Sequence, residues 1–510
     1  MSRLRYPSTG TDNGETGMAG TAAGVQVVWF RRDLRPADHA PLTAAAEAAR
    51  AAGAGLLPLY VFDPDLWRRA DLAGRHWAFL REALVDLRRD LAALGQPLVL
   101  RTGAVVPVLA ALHRSHGIAG LWAHADDGTP GTRDRDAAVA AWAAGEGIPW
   151  RVTTPGPAAR APLPVPEALP PVAGIEPGAI PETIDRVMGD RVPGWLPDTC
   201  PGRPAGGRRA GLAATTRFLE RRLPRYLRDQ AIPAVAGEAV SRLGPHLAWG
   251  TLSAGEVRAA AARRRDELRD LPEAITGARP RALEVFGERL NLRGAALADP
   301  PPDLPGELMP QTTGTPLFEA WSRGETGWPI VDAAMKALAR DGWLPFTLRA
   351  LVMQVAVLHL ELDPVRAGLT LARGLVDYEP AIHWRRLRDQ TIGAPGGTVP
   401  RPGSPVRFSE RHDPDGRFIR THLPALTRLP AAWLHAPWTA PADVLATAGL
   451  TLGRDYPHPV ADPGATLRAA RLRLQIAIAA AVPADTATAP PAPHRGRRKP
   501  VDPRQLGFDF

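Results

Sequence analysis

Five short apolar runs punctuate the first third of the chain: VQVVWF (residues 25–30), LLPLYVF (56–62), PLVLR (97–101), GLWAHA (120–125) and IPWRV (148–152). Runs this short, β-favouring and lacking an in/out alternation, are strands buried on both faces. Between them, stretches of helical periodicity cover residues 41–52, 74–94, 105–116 and 133–145. Strict strand–helix alternation leaves few folds open, because parallel strands need long crossovers and the crossover helices must cover both faces. A five-stranded parallel, Rossmann-like sheet is therefore expected over residues 25–152.

After residue 153 this pattern stops. Residues 153–208 are dominated by Pro and Gly and read as an interdomain linker. Helical patterns then follow one another over residues 209–482, with strand patterns scarce, and define a second, all-α domain. Residues 1–24 read as a disordered leader and residues 483–510, Pro/Ala-rich and then basic (HRGRRKP), as a disordered tail. At 510 residues a chain is too long for one ordinary core, so two domains are the natural outcome.

Lys and Arg number 62 against 53 Asp and Glu, a net charge of +9 that suits an anionic partner such as nucleic acid or a phosphorylated cofactor. Cys200 is the only cysteine, which excludes an internal disulfide and any thiolate-rich metal site. No apolar run approaches the ~20 residues of a membrane span, and the N-terminal residues lack the apolar centre of a secretory signal. A monomeric cytoplasmic protein without membrane or metal partners is expected.

Chemistry concentrates in three places. The turn after the first strand, RRDLRPADH, puts Arg31, Arg32, Asp33 and Arg35 at the carboxyl end of a strand, where open α/β sheets bind ligands, but no G-x-G-x-x-G or Walker motif accompanies it. Ser241, Arg242 and Gly244 in VSRLGPHLAWGTLS offer a hydroxyl, a cation and backbone N–H groups, which a diphosphate needs. His246 in the same stretch has no ligand-spaced partner and reads as a structural hydrogen-bonder. Finally, residues 346–360 form a helix apolar almost all round, interrupted by Arg349. A buried unpaired guanidinium is costly, and Asp377, Glu379 and His383 in DYEPAIHW are the available partners.

VVWFRRDLR, SRLGPHLAWGTLS, TGWPIVDAAM with GWLPFTLRAL, DYEPAIHW and HDPDGRFIRTHLPAL stand in the order and spacing of the photolyase/cryptochrome family, which the chain resembles over about residues 25–440. The resemblance implies an α/β domain followed by a helical domain that holds FAD. Carried over, the diphosphate loop falls on Val240, Ser241, Arg242, Leu243 and Gly244, and the phosphate-binding tyrosine on Tyr226. The Arg–Asp pair beside the isoalloxazine falls on Arg349 and Asp377, flanked by Tyr378 and by Glu379, where many relatives have Asp. The residue facing flavin N5, often Asn, is His383, an imidazole expected to titrate near neutrality and exchange a proton there. Arg289 and Arg293 are the candidate DNA contacts.

The chain departs from the family's pattern at its electron carriers and lesion contacts. Leu387 and Pro364 stand where electron-carrying tryptophans are usual, and Trp384, Trp343, Trp328 and Trp249 are the aromatics left for another path. Leu292 replaces the tryptophan that stacks on the lesion, a contact of ~1–3 kcal/mol per base, and Arg289 replaces a glutamate beside it. Gly131 and Thr132 stand at the antenna-folate positions without the usual Asn and Glu, so a folate antenna is not expected and the second chromophore stays open. The resemblance implies blue-light-driven, deoxyribodipyrimidine photolyase-like repair, in which reduced flavin passes an electron to a pyrimidine dimer flipped from DNA. The alternative is a cryptochrome-like photoreceptor, or an FAD-binding protein without repair activity.

Overall fold

The computed structural model describes residues 24–154, 161–183, 200–298, 315–391 and 400–481. The expected tail, all but the last residue of the expected leader and parts of the linker lie outside them. Strands β1 (Val25–Phe30), β2 (Leu56–Phe62), β3 (Val99–Thr102), β4 (Ile118–His124) and β5 (Trp150–Thr153) form one parallel sheet in the order β3-β2-β1-β4-β5. Helices α1 (Ala40–Ala52) and α2 (Gly74–Ala93) pack on one face; α3 (Val105–His116) and α4 (Pro130–Gly145) pack on the other. Every residue of β1 and β2 is buried, as non-alternating sequences demand. The chain leaves β1 first to one side and later to the other, so the carboxyl ends of β1 and β4 mark the topological switch point.

Residues 161–183 run along this domain rather than away from it. The carbonyls of Pro170 and Pro177 accept from Leu56 and Leu100 N–H, and Leu169 is buried. Beyond residue 207 the described chain is helical. The helices that build the site are α5 (Gly244–Ala248), α6 (Ala254–Arg269), α7 (Arg279–Ala298), α8 (Pro329–Asp341), α9 (Phe346–Gln354), α10 (Pro364–Gly374) and α11 (Pro380–Thr391). Local chemistry sets their ends. Ser253 and Glu256 form a reciprocal capping box at the start of α6. Pro364 occupies the first turn of α10, where its missing N–H costs nothing. The helix expected over residues 346–360 is α9 followed directly by a π turn, Val355–His359.

The two domains are pinned by groups the sequence placed in the first turn. Arg32 donates to Tyr378 O (2.7 Å) and Ala248 O (3.2 Å) and lies 4.5 Å over the Trp249 ring. Arg35 donates to Gly250 O at 3.0 Å. Gly250 has φ +65, and a Cβ there would collide with the Arg32 carbonyl, so both conformation and contact require glycine. From α2, Arg75 reaches Gly374 O (2.7 Å) and His76 reaches Leu375 O (2.8 Å). The segment from Leu375 to Glu379 is thus held from behind by the α/β domain.

Candidate functional site

That segment forms one wall of a cleft whose other walls are α9 and α11, and Gly244 and Arg293 also line it. It encloses about 700 Å³ of atom-free space, its open mouth included, and its lining is mainly apolar: Phe346, Ala350, Met353, Leu375 and Ile382. The helical repeat explains the set. Residues 346, 349, 350 and 353 share one face of α9, as 382, 383, 386 and 390 share one face of α11. Leu348, Leu351 and Val352, on other faces of α9, enter the core. The apolar helix is therefore not surrounded by core on all sides, and Arg349 lies in the wall with a fifth of its side chain exposed.

Arg349 Nε donates to Leu344 O at 2.7 Å and Nη2 to Asp377 Oδ2 at 2.7 Å. Asp377 Oδ1 is buried and has no hydrogen-bond partner. Gly244 stands so close to this carboxylate that an added Cβ would lie 2.7 Å from Oδ2. Glu379 accepts from Arg293 at both carboxylate oxygens, and Arg293 also donates to Leu247 O at 3.1 Å. A cleft with one unsatisfied acceptor among otherwise matched charges is built to receive a hydrogen-bond donor.

His383 lines the cleft, and its Nε2 lies 2.9 Å from Gly368 O. A carbonyl only accepts, so Nε2 carries the proton and Nδ1 carries none in the neutral ring. Burial, opposed by that hydrogen bond, lowers its pKa to about 4. This corrects the expectation from the sequence: near neutrality His383 is uncharged and does not titrate.

The diphosphate loop divides. Val240, Ser241 and Leu243 are fully buried, and Ser241 Oγ accepts from Leu243 N at 3.3 Å. Arg242 has φ +61 and stacks 4.2 Å over Trp343, lining a neighbouring cavity with about 610 Å³ of atom-free space rather than the cleft. Burial lowers its pKa to about 10. Tyr226 is not among the cleft-lining residues; it is fully buried, edge-on to Phe218, and accepts from Arg289 Nη1 at 2.5 Å. Arg289 and Arg293 are 5% and 6% exposed. Of these two candidate DNA contacts, Arg289 is sunk against Tyr226 and Arg293 is paired with Glu379.

Other groups come together that sequence reading did not join. Asp33 Oδ2 accepts from His39 Nε2 and His124 Nδ1, both at 2.8 Å, while Oδ1 accepts from Arg31 N at 2.7 Å. Burial would raise the Asp33 pKa, but the two histidines hold it well below the carboxylate range. His39 Nδ1 caps α1 by accepting from Leu42 N, which puts its proton on Nε2. To bind a cation there, His39 would have to give up that proton and the cap. Tyr378 donates to Asp71 Oδ2 (2.7 Å) and accepts from Trp384 Nε1 (3.0 Å), tying the cleft to the α/β domain. Thr132, at a folate position, is buried and donates to Asp127 Oδ1 at 2.8 Å. Leu387 is core, packed against Gly368. Trp249 and Trp328 donate to the carbonyls of Val376 and Ala461, and Trp343 carries Arg242, so each serves packing.

These residues fall within recognised domains. The chain matches the model of the FAD binding domain of DNA photolyase over residues 300–475, and the DNA photolyase model over residues 26–155. It is 32% identical to the deoxyribodipyrimidine photo-lyase of Thermus thermophilus over 434 residues, covering 79% of this chain and 92% of that one. It is 28% identical to a cryptochrome DASH of Natronomonas pharaonis, covering 86% and 98%. The solved cryptochrome of Synechocystis sp. PCC6803 superposes with a TM-score of 0.73 at 22% identity, covering 88% and 99%. The chain belongs to the photolyase/cryptochrome family and carries its FAD-binding domain.

The residues present fit FAD. The cleft offers apolar walls for a flat heteroaromatic ring, an orphaned carboxylate oxygen for a ring N–H, and a guanidinium beside it to offset developing negative charge. Among the described residues no helix is long and apolar enough to cross a membrane.

Proposed function

We propose that this protein is an FAD-dependent, blue-light-driven DNA repair enzyme of the deoxyribodipyrimidine photo-lyase type, a carbon–carbon lyase acting on pyrimidine dimers. The observation that carries the reading is the Arg349–Asp377 pair, with its unpartnered carboxylate oxygen, in the wall of an apolar cleft. The 32% identity to a photo-lyase over nearly its whole length and the net charge of +9 support DNA as the partner.

Bound and reduced, FAD supplies a light-driven one-electron donor. The chain's own contribution is positional. Asp377 accepts from the ring edge, Arg349 holds Asp377 and adds positive charge, and the apolar walls keep water out. His383, neutral and fixed as the Nε2–H tautomer, supplies no proton near neutrality. The Glu379–Arg293 pair adds a matched pair of charges to the cleft lining. Pre-reduced protein should restore a dimer-containing oligonucleotide under blue light and not in darkness; no difference between the two would overturn the proposal.

A second reading, a photoreceptor of the cryptochrome kind, is favoured by one observation. Leu292 and buried Arg289 stand where aromatic stacking and a carboxylate would engage a lesion. It predicts a light-dependent spectral change without repair in the same experiment.

A further inference from the structure

Of the arginines around the cleft and the loop beside it, one is anomalous. Arg349 pairs with Asp377, Arg293 pairs with Glu379, and Arg242 lies over Trp343. Arg289 is 5% exposed, yet among the described residues no carboxylate is within ion-pair distance of it. It donates to a phenol, Tyr226 Oη, lies 5.2 Å from the centre of that ring, and its buried Nε has no hydrogen-bond partner. A guanidinium cannot shed its charge to escape burial, as a carboxylate or lysine can. A buried cation without a counter-anion is among the costliest arrangements in a protein.

Position supplies the missing anion. Arg289 lies four residues before Arg293 on α7, hence one helical turn along the same face. Arg293 lines the cleft, so Arg289 stands one helical turn from that lining. A ligand with a flat ring in the apolar part and an anionic arm extending past Arg293 meets the unpaired guanidinium there. Arginine's fork suits phosphate oxygens, which accept two N–H bonds at once.

We propose that Arg289 is a phosphate-binding residue, receiving a phosphate oxyanion of the dinucleotide whose ring occupies the cleft. This rests on the flavin reading of that cleft and adds to it an anion site built from α7. Arg293 cannot serve instead, because Glu379 already neutralises it.

The test compares flavins with and without phosphate. Equilibrium binding of FAD and of riboflavin is measured on wild type, Arg289→Leu and Arg289→Lys. Loss of charge-assisted hydrogen bonds should weaken FAD at least about tenfold in Arg289→Leu and change riboflavin by less than about twofold. Arg289→Lys keeps charge without the fork and should fall between, and it decides the matter if Arg289→Leu does not fold. Equal losses for both flavins, or none, overturn the phosphate role while leaving the cleft reading intact. If wild type binds neither flavin, the cleft reading fails separately. Inorganic pyrophosphate then decides the anion site: it should raise the thermal midpoint of wild type and not of the variants, and equal shifts would overturn it.

Discussion

Asp33 and Asp377 are both buried carboxylates beside arginines and a histidine, and they do opposite things. At Asp33 both oxygens are taken, by Arg31 N, His39 and His124, and the cluster stitches β1, the start of α1 and β4 together. At Asp377 one oxygen is held by Arg349 and the other faces no donor. The first is a closed network and serves the scaffold. The second keeps an unpartnered oxygen in a residue that lines an apolar cleft, and an unsatisfied acceptor there suits a ligand's donor. Both lie where sequence reasoning looked for ligands; what separates them is whether the protein has already answered its own polar groups.

Acid should strain the closed networks first. Burial lowers the pKa of His39, His76, His246 and His383 to about 4 in each case. The unfolded chain's histidines titrate near ~6.5, so the unfolded state takes up protons first. Their contribution to stability is complete above that value and is lost as pH falls towards 4. Each contributes a slope of at most about 1.4 kcal/mol per pH unit, or about 5.5 for the four together. Thermal midpoints should therefore fall steeply between pH 6.5 and 4; a flat profile would contradict the neutral assignment. Asp33 acts in the same direction but at lower pH. Its depressed pKa adds stability that is lost only at pH values below that window.

Asp33→Ala should come next, at about 3–5 kcal/mol, because it leaves two buried imidazole donors unanswered; chemical denaturation reads this directly. A cost near zero would mean the cluster is not the scaffold element described. Asp377→Ala should instead spare much of the stability and weaken FAD ten- to a hundredfold, the value of a charge-assisted hydrogen bond of about 1.5–3 kcal/mol. Reversed outcomes, with Asp33→Ala losing flavin and Asp377→Ala losing the fold, would invert the comparison. The smallest effect concerns His383: the visible spectrum of the bound flavin should not titrate between pH 5.5 and 8 in wild type, nor in His383→Asn. A transition near pH 6.5 that vanishes in the variant would restore the proton-exchanging role.

What was legible in the sequence follows from physical range. The sheet was legible because strand and helix periods are local and alternate without interruption from Val25 to Thr153. That Arg349 needs a partner was legible because a charge inside an apolar helix must find one, and the family resemblance singled out Asp377 from Glu379 and His383. The Asp33 cluster was not, since His124 lies 91 residues away and arrives only because β4 lies beside β1. Depth was hidden too. Arg289 and Arg293 share a helix face with a basic look, and periodicity gives the face but not what packs on it. Tyr378 was read as a neighbour of the site, while its bond to Asp71 of the other domain needed the docking of two domains to be seen.

The most direct measurement is flavin stoichiometry by visible absorption of purified wild type and Asp377→Ala, each saturated with FAD and then freed of excess. A cleft built around the Arg349–Asp377 pair predicts stoichiometric FAD in wild type and little in the variant while the variant remains folded. A colourless wild type, or a folded Asp377→Ala that retains FAD in full, would contradict it.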